Sequence, residues 1–267
     1  MNTILLALLC GGLVGFCLGA LGGGGGILVW PALVFGIGVS AQEASVLAKI
    51  IVGSCAFFAA VMHFRKRTID LPIGLSMSGL GFAGAWYGAS FIQSTGLDAA
   101  SAERVMFGVL AVLMLVVSGL MFRKGMRSRR GESGGTASLP EKPPVSGLRL
   151  AVFVVASLAI GFLTGFLGVG GGFMIVPTLV FVFGLDMSMA AGTSLVVITL
   201  NCVSGLLAKA DGNIRWDVAL LFAISSIVAS AVAVRVADKS KQSTLQIAFS
   251  GLVVLLGVLM VWKLSVA

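Results

Sequence analysis

Long apolar stretches separated by short polar ones run the whole length of the chain. Eight apolar blocks stand out, at about 3–38, 42–63, 71–93, 103–122, 148–184, 187–208, 216–237 and 244–264. Roughly 20 apolar residues cross a bilayer as a helix, so six blocks fit one pass each. Blocks one and five are too long. Each runs about 36 residues, which as a straight helix would be ~54 Å against a hydrocarbon core of ~30 Å. Each also carries a glycine cluster near its middle, Gly22–Gly26 and Gly168 with Gly170–Gly172, with Pro31 and Pro177 five residues further on. Glycine costs a helix interior ~1 kcal/mol relative to Ala. Each long block is therefore predicted to be two shorter helices joined by unwound backbone, which survives in a membrane only when buried in protein or lining a wet cavity.

The polar interval Arg123–Gly147 splits the blocks four and four. It holds Arg123, Lys124, Arg127, Arg129, Arg130, Glu132, Glu141 and Lys142 among Gly, Ser and three Pro, the composition of a solvated linker. The flanking halves resemble each other. Gly15–Phe35 and Gly161–Phe181 align without gaps at an offset of 146, with 12 of 21 residues identical. The shared Phe16/Phe162, Pro31/Pro177 and closing Leu-Val-Phe argue against a match by composition alone. The predicted organisation is a duplicated unit: a first half over 1–122, a linker over 123–147 and a second half over 148–267.

Composition fits this pattern and removes others. The chain has 267 residues, 58% hydrophobic and 10% charged, where soluble domains carry about 25% charged residues; mean hydropathy is +1.10. The fold class expected is an all-α polytopic membrane protein of about eight transmembrane segments, the first of each half broken at its glycine cluster. The net charge of +8 fits cytoplasmic loops, and no aromatic-interleaved basic patch points to nucleic acid. Cys10, Cys17, Cys55 and Cys202 lie in apolar stretches without a CxxC pair, so neither a metal nor any other cofactor is implied. No Lys or Arg precedes the apolar residues 1–21, which read as an uncleaved first span.

The glycine breaks carry the chemistry. A helix starting after such a cluster presents unpaired N–H groups and a positive dipole end, and glycines let an anion approach those amides. Gly22, Gly23, Gly24, Gly25 and Gly26, with Gly168, Gly170, Gly171 and Gly172, are therefore candidate substrate-binding residues near mid-membrane. The spaced Gly11-Gly15-Gly19 and Gly161-Gly165 read instead as helix-packing ridges.

Within the blocks, Lys49 is the one formal charge well inside, and two readings stand open: pairing with an anionic substrate, or snorkelling to the interface. Thr193, Ser194 and Asn201 share a helical face; they can bind an oxyanion or link helices. His63 beside Arg65-Lys66-Arg67 reads as interfacial, and Glu43 and Asp186 suit helix starts.

The pattern G-x-x-x-G-x-L-G-x-G-G-G-x4-P-x-L, present at Gly15–Leu33 and Gly161–Leu179, resembles the sulfite exporter TauE/SafE family. Ala191-Gly192-Thr193-Ser194-Leu195 is similar to its A-x-T-S-L segment, and Gly212-Asn213-Ile214-Arg215-Trp216 to its G-N-x-x-W loop. The resemblance implies transport of small anions, often sulfur oxyanions or organosulfonates. The first half departs from the second, with Val46-Leu47-Ala48-Lys49 where the second has Gly192-Thr193-Ser194-Leu195.

Gly79-Leu80-Gly81-Phe82-Ala83-Gly84 matches GxGxxG but lies in a helix-length apolar block with no preceding strand, so a dinucleotide site is rejected. No P-loop, HExxH or paired intramembrane carboxylates occur, which disfavours an enzyme. A non-transporting accessory subunit or scaffold is the alternative to a secondary transporter. The expected partners are a small anion and the lipid bilayer, in a bacterial-type inner membrane. Eight single passes put 13 Lys/Arg on one side and four on the other, Lys49 aside, with parallel repeats. Two passes per long block give ten segments, inverted repeats and the same 13 against four. The positive-inside rule places the linker in the cytoplasm either way; eight segments is the arrangement carried forward.

Overall fold

In the computed structural model, the residues described are 2–21, 25–94, 104–106, 108–112, 115–116, 118–119, 123, 147–167, 172–208, 215–237, 251, 254–255 and 257–258. Among them every regular element is helical. In the first half these are α1 (Asn2–Leu21), α2 (Gly26–Pro31) with a π-helical continuation Ala32–Ile37, α3 (Ala41–Arg65) and α4 (Leu71–Ser94). The second half supplies α5 (Gly147–Leu167), α6 (Gly172–Phe183), α7 (Met187–Leu207) and α8 (Trp216–Ala237). Three are long and apolar enough to cross a membrane, over Gln42–Arg65, Ser188–Leu207 and Trp216–Arg235.

Local chemistry sets the helix ends. Pro31 cannot donate to the carbonyl four residues back, and the helix widens into a π turn beyond it. Gly38, at φ +76°, then ends that segment, and Val39 N–H donates to the Leu33 carbonyl at 3.4 Å. The second half closes the same way 146 residues on: Gly184 has φ +66°, and Leu185 N–H donates to the Leu179 carbonyl at 3.2 Å. Each segment thus ends on a left-handed glycine followed by an N–H that bonds a carbonyl six residues back, one residue wider than the Schellman closure. Ser40 then caps α3 in a reciprocal box with Glu43, and Asp186 holds the same place before α7.

The largest interfaces all join one half to the other: α1 with α8, α4 with α5, α3 with α7, α4 with α7 and α3 with α8. The halves are interlocked, not stacked side by side. Two small-residue ridges make the close approaches. On α1, Gly11, Gly15 and Gly19 lie against Ser225, Ser226 and Ser230 of α8. On α5, Gly161 and Gly165 lie against Gly81 and Ala85 of α4. A Cβ at Gly15 or Gly165 would collide with facing backbone, so these glycines pack helices, as their spacing predicts. The outward faces are apolar: Leu5, Leu9 and Leu13 stripe α1, and Leu220, Ile224, Val228 and Val232 stripe α8, all exposed. A protein in water does not present such stripes without covering them.

The direction of each helix follows from which residues meet. Lys49 of α3 lies at Gly205 of α7, and Gly53, one turn further along α3, lies at Cys202, further back along α7. So α3 and α7 run antiparallel. Gly74 meets Thr193 and Gly81 meets Asn201, so α4 and α7 run parallel. The Cys55 thiol donates to the Ser226 carbonyl at 3.5 Å, and Lys66 Nζ to the Val234 carbonyl at 2.9 Å, so α3 and α8 run parallel.

The described parts of each long block also lie back against one another. Helices α3 and α7 occupy corresponding places in the two halves. Single passes through blocks one and five would send them the same way, and they run opposite ways. In each long block the described helix after the glycine cluster contacts the helix before it. Phe183, at the end of α6, meets Phe153, near the start of α5, edge-on with ring centroids 5.0 Å apart. In the first half, the position of a Cβ on Gly25 lies 2.6 Å from the Leu18 amide of α1, and Ala32–Ile37 also contacts α1. A straight continuation would carry both segments away from the helix before them.

Candidate functional site

Helices α3 and α7 cross at the centre of the molecule, and the polar residues singled out in the sequence distribute along them unequally. Lys49 is two turns in from the start of α3 and 1% exposed. Its ammonium donates to Ser45 Oγ, one turn back, at 3.2 Å. Its alkyl chain crosses Gly205: a Cβ there would lie 3.0 Å from Lys49 Cε and 3.7 Å from the Cα of Gly165 on α5. Gly165 is three residues before Gly168, where the second glycine cluster begins. Snorkelling is therefore not what Lys49 does. Its stem and its head are both inside the protein, where a charge is expensive unless it is paired.

Asn201 lies one turn before Gly205 on α7 and is fully buried. It faces Gly81 of α4, and neither of its amide atoms has a hydrogen-bond partner among the described residues. Thr193 is two turns further back. Its Oγ1 accepts from the Asp70 backbone N–H at 2.9 Å, which ties the start of α4 to the start of α7. Ser194 donates to the Ala191 carbonyl of its own helix at 2.7 Å. The shared face expected for Thr193 and Asn201 is there, but the structure spends Thr193 on an interhelical bond.

Of the glycine candidates, Gly25 packs on α1, and Gly26 and Gly172 are buried at the starts of α2 and α6. Gly22, Gly23, Gly24, Gly168, Gly170 and Gly171 lie outside the described residues, as does nearly all of the 123–147 linker. Helices α2 and α6 touch each other, so the two chains that return from the glycine clusters meet between the halves.

Sequence reading missed Ser45, Gly205 and Gly81 as neighbours of the polar centre. Ser45 and Gly205 each stand four residues from a residue already singled out, which is the helical contact spacing. Gly81 was met only as part of the rejected GxGxxG. His63, taken as interfacial, lies in the last turn of α3, where Nδ1 is 2.9 Å from Thr68 Oγ1. Glu43, Asp70, Asp186 and Asp217 all stand at helix starts, where carboxylates oppose the positive dipole end.

An all-helical molecule with apolar outer stripes and a buried lysine at its central crossing is a membrane protein, and the family comparison agrees. The chain belongs to the sulfite exporter TauE/SafE family, whose model matches residues 7–260. It is 26% identical to a probable membrane transporter protein of Xylella fastidiosa strain 9a5c, over 98% of this chain and 97% of the relative. It is 24% identical to the probable membrane transporter protein YunE of Bacillus subtilis, over 82% and 83% of the two chains. A third relative, the probable membrane transporter protein MJ0441 of Methanocaldococcus jannaschii, is 23% identical over 93% of each. No solved structure matches the chain.

Proposed function

We propose that this chain is a secondary transporter that exports small, sulfur-containing anions such as sulfite or organosulfonates, by alternating access. The observation that carries the reading is Lys49. It is a buried cation more than two turns inside a helix, at the crossing of the two halves, beside the approach to a glycine break. Such a charge in a membrane interior marks an ion pathway by default. The N-terminal N–H groups of α6, a 12-residue helix that starts at Gly172, add a positive dipole end of the same preference. No nucleotide-binding motif is present in the sequence, so the energy comes from gradients.

The membrane arrangement we propose has two homologous halves, 1–122 and 148–267, of opposite orientation, joined by a cytoplasmic linker over 123–147 in an inner membrane. Each long block enters and leaves by the same face as a hairpin tipped by its glycine cluster. The helix directions support this reading, as does the 13-to-four charge asymmetry, which it preserves. The bonds from Lys66 to Val234 and from Asp70 to Thr193 then fall at the cytoplasmic end. Because the halves interlock, the bodies that move against each other are composite: α1 with α8, and α4 with α5, on either side of α3 and α7.

The test is flux into proteoliposomes of sulfite, sulfate, thiosulfate, taurine, sulfoacetate and a non-sulfur carboxylate, with and without a pH gradient. Saturable flux of a sulfur anion, lost in Gly171→Leu, is the expected result. No flux of any member through folded protein overturns the reading.

A further inference from the structure

Resting on the anion-transport reading, we propose that Asn201 makes the site selective for monoanions that carry a hydrogen-bond donor beside an acceptor oxygen. Hydrogen sulfite has this chemistry. Fully ionised sulfite, sulfate and donor-free sulfonates do not.

A primary amide offers two donors on Nδ2 and two acceptor positions on Oδ1. Asn201 presents both inside the protein, at 0% exposure, without a partner among the described residues. Buried amides are otherwise satisfied, and one left unpaired is expensive. The neighbouring hydroxyls are committed elsewhere. Ser204 donates to the Phe82 carbonyl at 2.6 Å and Ser78 to the Gly74 carbonyl at 2.6 Å. Packing does not demand an amide either. The corresponding position of the first half, 146 residues earlier, is Cys55, whose thiol rests on the Ser226 carbonyl. Gly81 makes the room: a Cβ there would lie 2.6 Å from Oδ1 and 2.9 Å from Nδ2.

A ligand that satisfies both amide atoms must accept from Nδ2 and donate to Oδ1. A fully ionised oxyanion does the first and repels Oδ1. A protonated oxyanion, or one with N–H or O–H next to its oxygens, does both. Charge favours the same choice. Lys49, one turn along α7 from Asn201 by way of Gly205, is the single charged side chain in the interior of a described helix, and it matches one negative charge.

The experiment uses sulfamate and methanesulfonate, two monoanions of nearly equal shape of which only sulfamate has N–H on sulfur. Flux of each into proteoliposomes is compared for the full chain, Asn201→Ala and Gly81→Ala. The wild type is expected to favour sulfamate by about tenfold or more, the worth of one good hydrogen bond. Asn201→Ala should bring the ratio to about one through loss of the preference for sulfamate, and Gly81→Ala should shift it the same way. Sulfite flux, with equal pH on both sides, should fall as hydrogen sulfite ionises, and sulfate should not be carried. A wild-type ratio near one, or a ratio unchanged in folded Asn201→Ala, overturns the assignment and leaves anion transport standing. No flux of any anion overturns both. If Asn201→Ala does not fold, the wild-type ratio decides.

Discussion

Helices α3 and α7 hold the same place in their halves and carry opposite chemistry. At the offset of 146, Leu47, Ala48, Lys49 and Cys55 of α3 stand where α7 has Thr193, Ser194, Leu195 and Asn201. At these positions one helix contributes a charge and the other an amide. The backbone frame around them repeats closely, down to the left-handed glycines at 38 and 184. Chain geometry is thus shared between the halves while polar function is divided.

The sharpest way to break the comparison is to ask whether the two helices cross in opposite senses. Single cysteines at Arg67, just beyond the end of α3, and at Ser188, in the first turn of α7, are both exposed. An impermeant maleimide should label both from the cytoplasmic side. Labelling from opposite sides would restore parallel single passes. Next in size come the ridges that flank the pair. Gly165→Leu drives a side chain into the backbone of Ala85, and overpacking on that scale costs ~3 kcal/mol or more. Folded, monodisperse protein should be lost. Gly12→Leu, with nothing within 4 Å of its Cβ position, should leave the melting temperature within a few degrees. Equal effects would mean the ridge does not hold the bundle.

Lys49 tests the division of chemistry itself. Lys49→Ala should raise the KM for the transported anion at least about tenfold, the equivalent of ~1.4 kcal/mol, and Lys49→Arg by less. Unchanged KM in both would make the lysine a packing residue. Thr193→Val removes the acceptor of the Asp70 N–H and should cost ~1 kcal/mol of stability with KM unaltered, measured by thermal unfolding beside flux. A change in KM without loss of stability would return Thr193 to the substrate. The smallest effect should come from deleting 128–145. Flux should stay within about twofold, and its loss would make the linker more than a tether.

Much of this was legible in one dimension. Apolar length gave the helices, because a membrane helix must satisfy its own backbone. The spacing of Gly11-Gly15-Gly19 and Gly161-Gly165 gave the packing ridges, because small residues on one face let helices approach. Lys49 drew attention because a charge in an apolar run is costly wherever it sits. The roles of Thr193 and Asn201 were not legible. Both lie on one helical face with similar hydrogen-bonding capacity, and only the neighbour decides: Asp70 for one, Gly81 for the other.

The sequence by itself therefore determined which of the described segments are helical, which residues repeat at 146 and which family the chain joins. These depend on local composition and on spacing along one helix. Helix direction was decided by tertiary structure alone. The charge count comes out 13 to four whether the long blocks pass once or turn back, because the segments that exchange sides carry equal numbers of Lys and Arg. Only contacts between distant residues break that tie: Lys49 at Gly205, Lys66 at Val234 and Phe153 at Phe183. The physical reason is that a glycine cluster permits a reversal without demanding one, while the direction of a helix is fixed by the distant residues it packs against.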